Sequence, residues 1–326
     1  MKAVVCTDFK GPDGLKVAEV EQPAPRAGQL LIDVMACAVN FPDLLMTRNQ
    51  YQFKPDLPFI AGSEVAGVVR GVGEGVEGFA AGDRVAGSSV LTGGLAEQAV
   101  LRADTVHVIP DGVGFAEAAG ILYAYGTSYY ALRDRADLRP GETLLVLGAA
   151  GAVGLSAVEI GRAMGARVIA AASSEEKLAL CRKHGAHETI NYEIDDLKAR
   201  TRELTDGQGA DVVVDPVGGR YSEPALRSTA WGGRYLVIGF AAGDIPKVPL
   251  NLVLLRGCSI VGVFWGSFVQ RDPEDHRRYV AELRDWWRQG LLRPYVSETY
   301  PLERAADALR DLDGRRAVGK LVVTPT

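Results

Sequence analysis

The sequence predicts an α/β protein that combines a doubly wound parallel sheet with a smaller β domain. After residue 110, apolar strand patterns alternate with helical patterns, which is typical of parallel strands joined by crossover helices. Before residue 110, the strand patterns are short and are separated by glycine and proline turns. The length of 326 residues agrees with about two domains.

The N-terminal strand patterns predict a small barrel-like β unit. These patterns cover Lys2–Thr7, Gln29–Ala36, Val65–Val72, Arg84–Ala86 and Ala96–Val100. An alanine-rich helical pattern then runs from Ala116 to Leu132 and leads into the second domain.

Six apolar strand patterns follow, which is the number in a complete dinucleotide-binding sheet. They cover Thr143–Leu147, Arg167–Ala172, Glu188–Asn191, Asp211–Asp215, Gly233–Ile238 and Ser259–Phe264. Helical patterns at Val153–Met164 and Glu175–His184 separate the first three.

The C-terminal segment has two further helical patterns, His276–Gln289 and Leu302–Leu312, and a last strand pattern, Gly319–Val323. We expect this segment to return to the first domain. The sheet domain, residues 123–266, would then be an insertion between residues 1–122 and 267–326.

Composition and charge exclude several functions. The net charge of −5 argues against a nucleic-acid binder driven by bulk charge. The apolar run at the N-terminus stops after four residues, too short for a signal peptide, and the longest nearly apolar run, Leu144–Val158, is too short for a membrane span. The four cysteines form no CxxC pair, so the pattern indicates neither a disulfide framework nor a zinc ribbon. We therefore predict a reducing compartment, the cytoplasm.

The clearest motif is a glycine-rich turn between a strand and a helix. The run Leu144–Leu147 continues into Gly-Ala-Ala-Gly-Ala-Val-Gly, and an apolar helical pattern follows. Backbone N–H groups at the start of a helix bind pyrophosphate, and glycine lets it approach closely. The alternative is a tight turn that only packs on the sheet, but five further strands favour a cofactor site. The predicted cofactor residues here are Gly148, Ala150, Gly151, Ala152, Val153 and Gly154.

The end of the second strand of this sheet indicates which nicotinamide cofactor binds. An NAD enzyme places a carboxylate there for the ribose 2′-hydroxyl. Here Ser173 follows the strand, and together with Glu176 it is typical of a capping box. Lys177 and Tyr192 would then face a 2′-phosphate, unless Lys177 is simply a solvated helix residue. We predict NADPH rather than NADH.

Several strings together resemble the medium-chain dehydrogenase/reductase superfamily, and most closely its quinone oxidoreductase branch. They are Val39–Asp43, Gly62–Gly67, Gly82–Val85, Tyr125–Thr127 and Ala149–Gly154. The resemblance runs over nearly the whole chain. It implies a Rossmann doubly wound parallel sheet inserted in a GroES-like β-barrel domain, with a cleft between the two domains.

The chain departs from the zinc-dependent alcohol dehydrogenases of that superfamily. Those relatives have a cysteine at the position of Asn40 and a histidine at the position of Ser63, and a four-cysteine lobe that is missing here. A catalytic zinc needs about three protein ligands. We therefore predict that the protein binds no metal. Without a Lewis acid, the hydride acceptor must already be electrophilic, as quinones and α,β-unsaturated carbonyl compounds are.

Two residues are candidates for the catalytic centre. Asn40 can hydrogen-bond a carboxamide or an acceptor oxygen without titrating, although it could also be a turn residue before Pro42. Tyr51 lies at a spacing that resembles enoyl reductases with a proposed tyrosine proton donor, although it could equally be a wall residue. With Phe53 and Phe59, Tyr51 would form a flat aromatic acceptor site.

The remaining cofactor candidates come from the resemblance and from the strand ends of the parallel sheet. Thr127 resembles the family threonine near the nicotinamide. Later strand ends supply Gly239, Phe240, Phe264, Trp265 and Gly266. Either Arg315 or Arg316 would reach the 2′-phosphate, and we choose Arg315.

The sequence therefore favours an NADPH-dependent quinone oxidoreductase. The alternatives are an enoyl-thioester or enone reductase on the same fold, and a non-catalytic NADPH-binding protein with a structural or RNA-binding role. The acidic charge weakens the last of these. We expect a homodimer formed by continuing the parallel sheet across its last strand, Ser259–Phe264.

Overall fold

A computed structural model describes residues 1–88 and 92–325. The chain divides into two compact units, one made of Met1–Tyr123 with Pro294–Thr326 and the other of Ala124–Arg293. The first division lies within one residue of the sequence-based boundary. The second follows Arg293, whereas the sequence analysis placed it after residue 266.

The strands are β1 (Lys2–Cys6), β2 (Leu15–Glu19), β3 (Gln29–Val39), β4 (Phe59–Ile60), β5 (Glu64–Val72), β6 (Arg84–Ser88), β7 (Gln98–Arg102), β8 (Val106–Val108), β9 (Thr143–Leu147), β10 (Arg167–Ala172), β11 (Glu188–Asn191), β12 (Ala210–Asp215), β13 (Thr229–Val237), β14 (Ser259–Gly262), β15 (Val296–Pro301) and β16 (Lys320–Thr324). The predicted strands agree with these to within a few residues.

The helices are α1 (Phe41–Thr47), α2 (Phe115–Ala119), α3 (Leu122–Tyr129), α4 (Ala152–Ala163), α5 (Glu175–Lys183), α6 (Leu197–Leu204), α7 (Ser222–Arg227), α8 (Asn251–Arg256), α9 (Trp265–Arg271), α10 (Pro273–Arg288) and α11 (Ala305–Asp313). A π-helical turn, Tyr130–Arg135, continues α3.

The first unit contains two sheets. A small sheet has the order β2-β1-β4, and a larger one has the order β15-β16-β3-β5-β6-β8, with β7 also paired to β3. Strand β3 is central because it pairs antiparallel with β5, β7 and β16. Its buried side chains, including Leu30 and Ile32, lie in the main core of this unit. The C-terminal strand β16 thereby places Lys320 beside the end of β3.

The second unit is built on one parallel sheet of order β11-β10-β9-β12-β13-β14. This is the strand order of a complete dinucleotide-binding fold, and the sequence analysis predicted its six strands. Strand β9 is central and apolar, and Leu144–Leu147 is completely buried. The direction in which strands are added reverses between β9 and β12, and ligands of such sheets bind outside the carboxyl ends of the strands at this point.

Helices α9 and α10 belong to the second unit, contrary to our expectation that His276–Gln289 returns to the first. The reason is aromatic packing. Phe268 on α9 stacks on Tyr130 with ring centroids 4.2 Å apart, and Tyr279 on α10 packs edge-on against Tyr129 at 5.2 Å. These ring contacts bury the apolar faces of the two helices. The helical pattern of the sequence predicts such a face but does not show which unit it packs against.

Among the described residues, no helix combines the length and the apolar character that a membrane crossing requires.

Candidate functional site

In the turn after β9, steric constraints require glycine at two positions. Gly148 has a φ of +55°, and a Cβ there would lie 2.7 Å from Val217 Cγ2. A Cβ on Gly154 would lie 2.2 Å from the carbonyl oxygen of Gly148. A side chain at Gly154 would therefore displace the backbone of the turn, and one at Gly148 would displace the Val217 side chain in the loop after β12.

Gly151 is different because the protein itself leaves room beside it. It is the N-cap of α4 with an extended backbone, and a Cβ there would meet only the Gly148 carbonyl oxygen, at 3.4 Å. The first turn of α4 contains Ala152 and Val153 and no acidic residue. Its N–H groups can therefore bind an anion without competition from a carboxylate, which fits a pyrophosphate.

The ends of β10 and β11 bring the predicted 2′-phosphate residues together. Ala172 is opposite Asn191 in the parallel pairing, so Ser173 and Tyr192 follow neighbouring strand ends. The Tyr192 N–H donates to the carbonyl oxygen of Ala172 at 3.2 Å. On α5, the Lys177 ammonium donates to the Ser173 hydroxyl at 3.2 Å.

The predicted capping box at Ser173 is wrong by one residue. Ser174 is the N-cap of α5, and its hydroxyl accepts from the Lys177 N–H at 3.3 Å. Because Ser174 caps the helix, the Ser173 hydroxyl is directed to the Lys177 side chain instead. A hydroxyl and an ammonium thus lie where an NAD enzyme has a carboxylate.

The buried Asp215, which is not among the residues predicted from the sequence, shapes the loop after β12. Its carboxylate accepts from the N–H groups of Val217 and Gly218, both at 2.8 Å, and from the hydroxyls of Ser222, at 2.8 Å, and Tyr235. This network fixes Val217 against Gly148 at the reversal point of the sheet. An acid at the end of an apolar strand pattern was the only signal of this role.

The residues predicted at the later strand ends lie in the expected loops of the second unit. A Cβ on Gly218 would meet the ring of Phe240 at 2.9 Å, so the loops after β12 and β13 are in close contact. A Cβ on Gly126 would meet the Trp265 indole nitrogen at 2.8 Å. Trp265 therefore packs on α3 next to Thr127.

Three further cofactor candidates lie beside Phe240 and Trp265 in sequence: Gly239, Phe264 and Gly266. Gly239 follows β13, and its N–H donates to the carbonyl oxygen of Asp215 at 3.4 Å. Phe264 is about half exposed and begins α9, while Gly266 lies in the first turn of that helix.

In the first unit, Asn40 lies in a buried polar cluster at one end of the large sheet. Lys320 and Glu64 form an ion pair at 2.9 Å with side chains that are 5% and 0% exposed. Asn40 donates to the same Glu64 oxygen at 3.0 Å and accepts a hydrogen bond from the Lys320 ammonium. The Asn40 amide is therefore held in one orientation by charged partners.

A second arm of this cluster contains Asp43, Ser63 and Tyr123. Asp43 accepts from the Asn40 N–H at 2.7 Å and from the Ser63 hydroxyl at 3.1 Å. The Tyr123 hydroxyl is hydrogen-bonded to Ser63 and accepts from Ser88 at 3.4 Å. The Tyr123 N–H also donates to Glu64 at 2.9 Å.

Burial is the main influence on the pKa values of Asp43 and Tyr123. The pKa of Asp43 is raised to about 7: burial and, to a smaller extent, the charge of Glu64 raise it, while the hydrogen bonds from Asn40 and Ser63 and the charge of Lys320 oppose the shift. Burial also raises the pKa of Tyr123 far above its ordinary value. Asp43 can therefore gain or lose a proton near neutral pH, whereas Tyr123 stays protonated.

Sequence analysis chose Asn40 but missed Asp43, Glu64, Tyr123 and Lys320. The available signal was weak, since each is one polar residue within or beside an apolar run. Only strand pairing shows why they matter. Leu321 is opposite Val39, and Ala38 is opposite Glu64, so the ends of β16, β3 and β5 adjoin.

The predicted aromatic acceptor site is divided by the structure. Phe59 is buried in the core of the first unit and Phe53 is exposed, so these two do not form one wall. Tyr51 is half-buried, and its pKa is raised by burial and by the charge of Asp43. Within the described residues, its hydroxyl has no hydrogen-bond partner. Tyr51 remains a candidate proton donor.

The two arginines after α11 differ. Arg316 donates to the Asp311 carboxylate at 2.8 Å and to the carbonyl oxygen of Arg310, so it closes the end of the helix. Arg315 has a φ of +55°, an unusual conformation for a residue other than glycine. The choice of Arg315 as a phosphate ligand stays a prediction.

No group of three or more His, Cys, Asp or Glu residues is arranged to hold a metal ion within residues 1–88 and 92–325. The positions that hold a cysteine and a histidine in zinc-dependent relatives carry Asn40 and Ser63 here, and both are hydrogen-bonded to protein groups. The metal-free character of the protein stays a prediction that elemental analysis can test.

Comparison with known proteins identifies both units. The profile of the alcohol dehydrogenase GroES-like domain matches residues 26–111, and that of the zinc-binding dehydrogenases matches residues 152–284. The quinone oxidoreductase-like protein 2 homolog of Nematostella vectensis is 38% identical over 326 residues, which is 99% of this chain and 88% of that protein. The predicted fold class, a Rossmann sheet inserted in a GroES-like domain, is confirmed.

Solved structures agree with this result over the full length. A mycobacterial protein complexed with NADPH is 34% identical, and Escherichia coli quinone oxidoreductase complexed with NADPH is 28% identical. Each has a TM-score of 0.93 and covers 100% of both chains. The chain therefore belongs to the medium-chain dehydrogenase/reductase family, in its quinone oxidoreductase branch.

Proposed function

We propose that this protein is an NADPH-dependent quinone reductase that works without a metal ion. The observation that carries the proposal is the contact between the Lys177 ammonium and the Ser173 hydroxyl after β10, where no acid follows the strand. A cation and a hydroxyl favour a 2′-phosphate, while a carboxylate would favour a 2′-hydroxyl. Two structural neighbours of the chain are complexed with NADPH, which supports this choice.

The residues of the second unit fit this cofactor. The turn Gly148–Gly154 would hold the pyrophosphate, and Lys177 and Tyr192 would hold the 2′-phosphate, to which we add Arg315 from the C-terminal segment. Thr127 and the segment Phe264–Gly266 would lie at the nicotinamide end, with Gly239 and Phe240 beside it. When bound, NADPH supplies a hydride to an acceptor.

The residue types of the first unit support an acceptor that needs no Lewis acid. An amide and a hydroxyl stand at Asn40 and Ser63, and neither is a usual zinc ligand. Quinones are electrophilic without metal assistance, and relatives that are 34–38% identical to this chain are named quinone oxidoreductases or quinone oxidoreductase-like proteins. We therefore place quinones first among the acceptors.

A second candidate function is the reduction of enones or enoyl thioesters. The half-buried Tyr51 favours it, because its pKa is raised and its phenol would stay protonated as a donor to carbon. An enolate must be protonated at carbon, where a positioned acid contributes about 10²–10⁴-fold. A quinone needs no proton at carbon.

The test is NADPH oxidation with a panel of quinones, an enone and an enoyl thioester, followed by loss of nicotinamide absorbance. We expect turnover with quinones, and we expect Tyr51→Phe to keep most of it. A large loss in Tyr51→Phe with the thioester as the best acceptor would favour the second function. A protein that binds NADPH but reduces none of these would be a non-catalytic binding protein.

The metal-free part of the proposal has its own test. We expect quinone reduction to survive exhaustive chelation, and elemental analysis to find no stoichiometric zinc. One zinc ion per chain that is required for turnover would overturn this part and leave the choice of cofactor unaffected.

We also propose a homodimer formed along β14. This strand is the edge of the parallel sheet, and exposed strand edges favour pairing with another chain. Large exposed apolar side chains lie on β14, on the neighbouring strand β13 and in the segment of α8 that precedes β14, and a second copy would cover them: Ile260, Trp231, Leu250, Leu254 and Leu255. Leu254→Asp should shift the mass in solution from dimer to monomer, while Ile194→Asp, at an exposed residue after the opposite edge strand, should not. A monomeric native protein would overturn this part.

A cytoplasmic location is proposed from the four cysteines, which are all buried and free. Reducing compartments keep thiols in this state. Fractionation of the producing cells would test this.

A further inference from the structure

Four polar side chains form a continuous line through the first unit, and the proposed function does not use it. The Ser63 hydroxyl lies 3.1 Å from the Asp43 carboxylate, and Ser63 is also hydrogen-bonded to the Tyr123 hydroxyl. Tyr123 in turn lies 3.4 Å from the Ser88 hydroxyl. Asp43 and Ser63 are completely buried, whereas Tyr123 and Ser88 are half-buried. The line thus runs from a buried acid to groups nearer the surface.

The three hydroxyls of this line can both donate and accept a hydrogen bond, and the Asp43 carboxyl can also donate when it is protonated. When Asp43 is ionised, Ser63 donates to it, and Tyr123 can donate to Ser63. When Asp43 is protonated, its O–H can donate to Ser63, and Ser63 can donate to Tyr123. The same heavy-atom positions therefore serve two proton arrangements, and a proton can move along the line without displacement of the backbone.

We propose that Tyr123 donates the proton that the acceptor oxygen takes up during reduction, and that Asp43 restores it through Ser63. This inference rests on the proposed reductase function. It assigns a catalytic role to Tyr123, which sequence analysis did not select.

The position of Ser63 supports this assignment. Zinc-dependent relatives have a histidine at this position and a cysteine at that of Asn40, and the metal they bind polarises the substrate oxygen. In this chain Asn40 is held by Lys320 and Glu64, while Ser63 is bonded to the Tyr123 phenol. A phenol O–H beside Ser63 can stabilise negative charge on an acceptor oxygen, as an oxyanion-hole donor does.

The reaction balances with the groups named. The acceptor gains a hydride from the reduced nicotinamide, which is two electrons and one proton, so the cofactor is oxidised and the acceptor is reduced. The acceptor oxygen, which is left with a negative charge, takes the Tyr123 proton. The Tyr123 O–H bond breaks and a new O–H bond forms on the acceptor. The phenolate then takes the Ser63 proton, and Ser63 takes that of Asp43. A proton from solvent afterwards reaches Asp43 along the same line, through Ser88, Tyr123 and Ser63.

The charges around Asp43 suit a proton reservoir at neutral pH. Burial and Glu64 favour its protonated form, whereas Lys320 and the hydrogen bonds from Asn40 and Ser63 favour its ionised form, and its pKa is about 7. The buried thiol of Cys37 and the phenol of Tyr51 also feel its charge. Asp43 is therefore partly protonated when the reaction needs a proton.

The kinetic test compares quinones whose hydroquinone products differ in pKa, from halogenated to methylated rings. A weakly basic product oxygen needs no donor, while a basic one does. We expect Tyr123→Phe to lose little turnover with the first kind and about 10²–10⁴-fold with the last. Ser63→Ala should show the same trend, with smaller losses.

Tyr300→Phe is the control, because it removes a hydrogen-bonded phenol of the same unit that does not belong to this line: the Tyr300 hydroxyl is bonded to the Asp311 carboxylate at 2.6 Å. We expect its losses not to change along the quinone series. Equal losses in Tyr123→Phe across the series would mean a structural role for Tyr123 and would overturn the inference. A native protein inert to every quinone would instead overturn the proposed function.

A second measurement needs no turnover. Infrared difference spectra of the cofactor-free protein should show a protonated carboxyl band that disappears as the pH rises through about 7. Asp43→Asn should remove this band, and Ser63→Ala should shift it because the hydrogen bond to Asp43 is lost. A spectrum that Asp43→Asn leaves unchanged between pH 5 and pH 9 would overturn the reservoir role.

Discussion

The glycine turn of the second unit and the buried polar cluster of the first unit are built in opposite ways. The turn consists of seven consecutive residues, Gly148–Gly154, and its proposed role depends on its backbone. The cluster gathers side chains from four distant segments, around Asn40, Glu64, Tyr123 and Lys320. The turn depends on the absence of side chains, whereas the cluster depends on charges that compensate one another.

This difference decides how each region responds to change. A wrong side chain in the turn causes a local clash, whose cost depends on how far the backbone can move. A wrong side chain in the cluster leaves a buried charge without its partner, which is more expensive because the interior solvates charge poorly. We therefore expect the largest effects in the cluster.

The largest expected effect is that of Lys320→Met, which leaves Glu64 buried without its counterion. Loss of one partner of a buried ion pair costs about 3–5 kcal/mol. We expect the free energy of unfolding of Lys320→Met, measured by urea denaturation, to be lower than that of the native protein by this amount. Lys2→Met is the control, because its ion pair with Glu303 is about half exposed and should contribute less than about 1 kcal/mol. Similar losses in both variants would contradict the special role of the cluster.

Asp43→Asn should change how stability depends on pH. Folding raises the pKa of this carboxyl from its ordinary ~3.9 to about 7, so the folded protein binds the proton more tightly. The carboxyl therefore stabilises the fold least above pH 7 and progressively more as the pH falls toward 4. Between pH 4 and pH 8, the free energy of unfolding of the native protein should therefore fall by about 4 kcal/mol relative to that of Asp43→Asn, as measured by urea unfolding at each pH. A difference that is constant with pH would show that Asp43 does not titrate in this range.

Lys177→Ala tests the proposed cofactor site of the second unit. A charge-assisted phosphate contact contributes about 1.5–3 kcal/mol, so NADPH affinity should fall at least about tenfold while NADH affinity is unchanged. Calorimetric titration with both nucleotides measures this. Lys183→Ala, at the exposed end of the same helix, should leave both affinities intact. Equal losses for both nucleotides would indicate that Lys177 supports the fold instead.

Two alanine substitutions separate the steric from the binding role of the glycine turn. Gly154→Ala places a Cβ against the Gly148 carbonyl and should reduce stability by about 1–3 kcal/mol, the usual cost of overpacking. Gly151→Ala meets only one atom, at 3.4 Å, and should keep the melting temperature while weakening NADPH binding. If Gly151→Ala unfolds as readily as Gly154→Ala, the free space beside Gly151 is not a cofactor site.

Sequence analysis located the elements of the parallel sheet well because each buried strand is one continuous apolar run. Strands β9, β10 and β11 have the predicted bounds, and the turn after β9 is followed by the predicted helix. The capping box was placed one residue early because Ser173 and Ser174 are both good N-caps, and only the backbone geometry distinguishes them. The sequence also did not show that Phe53 is exposed while Phe59 is buried, because closeness in sequence does not determine burial.

The sequence by itself determined the fold class, the family and the glycine turn, since these depend on local patterns and on strings of adjacent residues. The tertiary structure alone decided which unit holds α10, where aromatic packing chose the second unit. It also decided the polar cluster, because the pairing of β16 with β3 brings Lys320 to Asn40 from the other end of the chain. An isolated acid or lysine in the sequence has no defined electrostatic role. Burial gives it one, because removing water makes each charge depend on the few partners that the fold supplies.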